Sequence, residues 1–141
     1  MYKKIIISAL SASLLLAVSQ VSMATTPDKC PTVDALKSAF LVKFNRETNG
    51  TWTADAVDSN YDTNAVWQFA ITDIDGDRDE TAVANAKKAM SSLHYGAGPI
   101  HFIDSFYVCM YYNDMGYRAF AGTGGVGNDD DLKAAMKNFS K

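Results

Sequence analysis

Apolar positions along the chain follow two different periods, and the switches between them mark the elements. Residues 51–57 alternate, with Trp52, Ala54 and Ala56 on one side and Thr51, Thr53 and Asp55 on the other. That period of two belongs to a half-buried strand. Residues 65–72 repeat it with Trp67, Phe69 and Ile71 on one face. Residues 106–112 form the most hydrophobic strand, with Phe106, Val108, Met110 and Tyr112 facing one way and Tyr107, Cys109 and Tyr111 the other. After a turn at 113–116, residues 117–121 return as a fourth strand.

Helical spacing appears in three places. Val33, Leu36 and Phe40 follow Cys30-Pro31-Thr32, which puts a proline in the first turn of a helix. The spacing predicts a helix reaching Asn45, stopped by the Asn49-Gly50 turn signal. Val83, Ala86, Met90 and Leu93 predict a second helix over 79–93. A third is expected over 129–139, with Asp129 and Asp130 suiting its positive end and Lys137 the other. Residues 94–99, with Gly96 and Gly98, read as a loop. The order is α-β-β-α-β-β-α. It predicts an α+β fold with an antiparallel sheet of about four strands, made of two hairpins, and three helices packed on one face. The order suggests a doubled helix-hairpin unit, although no residue-level repeat accompanies it.

The first 24 residues read differently from the rest. Lys3 and Lys4 precede an uncharged, mostly apolar run over 5–18, and Ser22 and Ala24 place small residues before a cleavage point. This is the pattern of a secretory signal peptide. The apolar run is shorter than the ~20 residues a membrane-spanning helix needs. A retained N-terminal anchor is the alternative, and no cysteine follows that would mark a lipoprotein. The expected mature chain is a single exported α+β domain over 25–141, located in the periplasm, at the cell surface or in the medium.

Export changes how charge and cysteines are read. The full chain carries a net charge of −3, and removing residues 1–24 takes away two lysines and no acid. Such a domain lacks the clustered cations that nucleic acid requires. It is also repelled by anionic lipid, so no membrane insertion is expected after cleavage. Cys30 and Cys109 are the chain's two cysteines. In an oxidising compartment they are expected to form a disulfide. A redox pair is the alternative, and their wide separation is unlike C-x-x-C.

Several constellations could carry chemistry. Asp73-Ile74-Asp75-Gly76-Asp77 resembles the opening of a calcium loop, but Arg78 and Ala84 stand where the turn glycine and bidentate glutamate belong. A solvated acidic loop capping the second helix is the expected role. Residues 122–127 match G-x-G-x-x-G, yet three aspartates follow at 129–131 and too little chain remains for a dinucleotide fold. They are expected to form a flexible connection. Catalytic motifs such as G-x-S-x-G and H-E-x-x-H are absent, so no enzyme activity is expected.

His94 and His101, the two histidines, flank the Gly96–Gly98 stretch beside a dense aromatic strand. Imidazole ligates haem iron well, and aromatic faces suit a flat macrocycle. A plain aromatic core with two loop histidines is the competing reading. C-x-x-C-H is absent, which excludes covalent c-type haem.

Taken together, the export signal, the Cys30-Pro31 helix start, the acidic 73–80 segment and the aromatic strand carrying Cys109 resemble a known family. It is the group of small exported Legionella proteins classed as a domain of unknown function, which includes a hemin-binding protein. The resemblance implies non-covalent hemin binding at the bacterial surface or periplasm, in the context of iron acquisition. It supplies no ligand motif, so the donors follow from chemistry. His101 is expected to be partly buried and is the preferred axial donor, His94 is the exposed second candidate, and Tyr95 is a possible further donor. Tyr107 and Tyr111 share a strand face and could stack on the porphyrin. The alternative function is an exported protein-interaction module, an envelope or host-directed factor with no haem ligand.

Overall fold

The computed structural model describes residues 26–123 and 129–138. The expected signal peptide, and residues 124–128 of the glycine-rich segment, lie outside the described residues. The elements in chain order are α1 (Val33–Lys37), β1 (Leu41–Arg46), β2 (Trp52–Ala56), β3 (Gln68–Ile74), α2 (Asp79–Ser91), β4 (His94–Ile103), β5 (Phe106–Tyr112), β6 (Arg118–Thr123) and α3 (Asp129–Asn138). Among the described residues the fold is α+β with three helices and an antiparallel sheet, as the periodicity predicts. The sheet has six strands rather than about four, in the order β1-β2-β3-β6-β5-β4.

Both additional strands lie at the edges of the sheet. The first replaces the second half of the predicted first helix. Thr32 caps α1 by accepting from the Ala35 amide at 3.2 Å, and the helix ends after five residues at Ser38. Leu41, Val42 and Phe44 then extend as β1, with Phe44 opposite Ala54 of β2. Asn49-Gly50 is the turn of this hairpin and not a helix stop: Gly50 has φ of +87° and donates to Glu47. The second additional strand is β4, where a loop was expected. Pro99 cannot donate to a ladder, but an edge strand tolerates it. Register shifts at Tyr95/Ala97 and Ala97/Ile100 absorb the Gly-Ala-Gly-Pro stretch.

The repeating unit is therefore a helix followed by a three-stranded meander, in place of a helix and a hairpin. Two such units meet along β3 and β6, where Ala70 pairs with Phe120. The central strands are buried on both faces. On one face Phe69, Ile71, Cys109, Tyr111, Ala119 and Ala121 pack under Leu36 of α1 and Ala82, Ala86 and Met90 of α2. On the other face Ala70, Phe106, Val108 and Phe120 meet Leu132, Ala135 and Met136 of α3. The helices thus cover both faces of the sheet, not one. Covering both faces with helices requires apolar residues at successive positions of β3 and β6, and the sequence supplies them.

Cys30 and Cys109 form the predicted disulfide, with their Cα atoms 5.8 Å apart. It joins the segment before α1 to the middle of β5. The same N-terminal segment is also held by the β2–β3 connection. Asp62 accepts from the Thr32 amide at 2.9 Å, and Asn64 accepts from the Asp28 amide at 3.0 Å.

Candidate functional site

The histidine-bearing strand β4 lies antiparallel to the aromatic strand β5, so register decides which rings meet. His94 is opposite Tyr112, and His101 is opposite Tyr107. Tyr112 and Tyr107 belong to alternate faces of β5, so the two imidazoles point to opposite faces of the sheet. They do not converge on one site. Both are exposed, including His101, which was expected to be partly buried.

Each imidazole is engaged through a different nitrogen. His94 Nδ1 lies 3.2 Å from the Ser92 carbonyl. A carbonyl can only accept, so this contact places the proton on Nδ1 and leaves the Nε2 lone pair directed away from the backbone. The His94 ring sits 5.8 Å from the ring of Tyr112, tilted by 33°. Tyr112 is 54% exposed, and its ring lies over Gly96, where a Cβ would fall within 2.4 Å of it. Any larger residue at 96 would displace this ring. His101 is arranged the other way: its Nε2 bonds the Asp104 carbonyl in the β4–β5 turn. Its free lone pair is therefore on Nδ1, next to its own Cβ and backbone.

The tyrosines separate into surface and interior. Tyr95 is 52% exposed, yet its hydroxyl donates to the Gly98 carbonyl at 2.7 Å. Tyr107 is partly buried, with its ring 5.1 Å from that of His101. Tyr111 is only 2% exposed, and its hydroxyl donates to Pro31. Burial, with a smaller push from Tyr95, holds the Tyr111 phenol protonated well above the usual range. Tyr111 thus belongs to the core, and its ring face is not open to a ligand.

Tyr112 lies on the β5 face opposite Tyr107 and Tyr111, and no sequence pattern marks it as a partner of His94. Only the pairing of β4 with β5 brings it against His94. The acidic segment also resolves into local contacts. Asp73 pairs with Arg118 across β3 and β6, and Asp77 accepts from Thr81 at 3.0 Å. Among the described residues, no three side chains of His, Cys, Asp or Glu come together as a metal site. No helix among them is long and apolar enough to cross a membrane.

A groove of about 370 Å³ lies on the α1/α2 side of the sheet, between the β1 edge and α2. Periodicity does not reveal it, because the residues leading into its β1 wall satisfy a helical period. Comparison of the chain with protein-family models, curated proteins and solved structures finds no match.

Proposed function

We propose that this chain is an exported, non-enzymatic hemin-binding protein in which His94 is the axial donor. The observation that carries the reading is the contact of His94 Nδ1 with the Ser92 carbonyl. Metal-binding histidines are typically oriented by donating their second ring N–H to a carbonyl or carboxylate, as His94 does to Ser92. The exposed Tyr112 ring beside it offers an aromatic face for a macrocycle. His101 suits the role less well. A macrocycle approaching Nδ1 meets the residue's own backbone, and Nε2 is held by the turn. Because the two imidazoles lie on opposite faces, the site supports ligation by a single histidine. Bound hemin would supply ferric iron as the electrophilic centre, and the protein's part is to hold and shield it. The disulfide and the N-terminal leader pattern support an exported setting.

Hemin titration of the purified protein, followed at the Soret band, tests this reading. The wild type and His101→Ala are expected to give a shifted Soret band of equal affinity, and His94→Ala to lose it. An unchanged band in His94→Ala overturns the imidazole assignment. No band in the wild type overturns hemin binding. It leaves the interaction-module reading, for which the exposed Phe40 and Val42 at the β1 edge are the natural surface.

A further inference from the structure

The groove between β1 and α2 combines an apolar lining with charge of one sign. Phe40, Leu41 and Phe44 form one wall, and Val83 and Met90 form the other. Among the described residues Lys37 and Lys87 contribute the only charges to the lining, and both are exposed. Among the described residues neither makes an ion pair. The chain as a whole is net negative, so a groove whose charges are all cationic runs against the surrounding field. Phe40 is 81% exposed, more than any other large apolar side chain described. It projects beside the groove without an intramolecular partner to bury it.

We propose that this groove binds a free long-chain carboxylate. The acyl chain would lie along Phe40, Leu41, Phe44, Val83 and Met90, and the carboxylate would pair with the ammonium groups of Lys37 and Lys87. The volume falls in the range of small-molecule sites, and apolar burial supplies most of the affinity while two cations set orientation. Charge selects among occupants. The net negative surface disfavours an anionic bilayer. The chain's own N-terminal apolar run begins with Lys3 and Lys4, which repel the same lysines. The site is independent of His94, which is exposed on the opposite face of the sheet.

The test is calorimetric titration with dodecanoate below its micelle concentration, with dodecyltrimethylammonium as the cationic counterpart. Dodecanoate is expected to bind and the cation not to. Lys37→Gln and Lys87→Gln should each weaken dodecanoate binding about fivefold, the upper end for an exposed ion pair. Val83→Trp, which fills the groove, should abolish it, and His94→Ala should leave it unchanged. Equal binding of anion and cation overturns the proposal, as does a Lys37→Gln, Lys87→Gln double variant with unaltered affinity. Sedimentation with phosphatidylglycerol vesicles, or a dimer that dodecanoate does not dissociate, overturns it in favour of a bilayer or a second copy. If Val83→Trp does not fold, the exposed lysine variants decide the question alone.

Discussion

Tyr111 donates its phenolic hydrogen to the carbonyl of Pro31 at 2.5 Å, across 80 positions of chain. The disulfide runs beside it, from Cys30 to Cys109. The two ties begin on adjacent residues and end two residues apart on one face of β5. One is covalent and one is polar, and together they fix the lead-in of α1 to β5, beside the edge strand β4. The proposed sites lie elsewhere, on β4 and at the β1–α2 groove.

Reduction of the disulfide reopens a loop spanning 79 positions. Chain entropy sets the expected loss at about 4 kcal/mol, read as the fall in unfolding free energy with and without reductant. Tyr111→Phe removes the hydrogen bond and leaves a buried carbonyl unpaired, for an expected cost of about 1–2 kcal/mol in the oxidised protein. In reduced protein the same substitution should cost less, because the lead-in, no longer anchored covalently at Cys30, can shift and let the Pro31 carbonyl find another partner. Equal costs in both states would show that the two ties act independently. The alkaline limb carries a second signature. The folded-state phenol titrates above its unfolded value of 10.0, so the stability it contributes is complete below about pH 10 and falls as pH rises past that point. Tyr111→Phe should flatten this limb in denaturant melts between pH 9 and 11.

The interior strands were legible in the sequence, and the edges were not. Phe69/Ile71 and Cys109/Tyr111 alternate cleanly because both faces of their strands are specified by packing. β1 was misread because Val33, Leu36 and Phe40 satisfy a helical period, although Phe40 is exposed and the helix has already ended at Ser38. β4 was misread because Gly96, Gly98 and Pro99 are turn residues anywhere except on a bulged edge strand. The disulfide is legible because two cysteines and a leader-like N-terminal pattern allow one intramolecular bridge. The partners of the histidines are not, since a one-residue change of register exchanges Tyr112 for Tyr111 opposite His94.

Gly98 is the position where that edge strand tolerates least. Its φ is +128°, and a Cβ there would sit 2.8 Å from the Val108 carbonyl oxygen and 2.9 Å from Cys30 Sγ. Neither neighbour is a flexible side-chain end, because one is backbone and the other is in the disulfide. Gly98→Ala is expected to cost at least about 2 kcal/mol, from backbone strain and overpacking together. Gly116→Ala is the control. Its φ is +73° but nothing lies within 4 Å, so only about 1 kcal/mol is expected. Thermal melts of the two variants separate close approach from backbone conformation. Equal destabilisation would mean that β4 moves away from the disulfide at little cost.

Asp62 links the stability of the N-terminal lead-in to acid. The Thr32 amide, donating to its carboxylate, pulls its pKa from 3.8 to about 2, with a smaller contribution from Lys29 at 3.3 Å. A group whose folded-state pKa is depressed stabilises the fold when ionised. That stabilisation is complete above about pH 4 and is lost as pH falls towards 2. The carboxylate is exposed, so solvent screening limits the effect to no more than about 1 kcal/mol. Asp62→Asn keeps an acceptor for Thr32 but removes the charge. At pH 6 the variant should therefore be less stable than wild type, and the gap should close progressively between pH 4 and pH 2. Urea melts at pH 6, 3.5 and 2.5 measure that gap. A constant difference across the series would show that Asp62 acts through hydrogen-bond geometry alone and that its charge contributes nothing to holding the lead-in on the sheet.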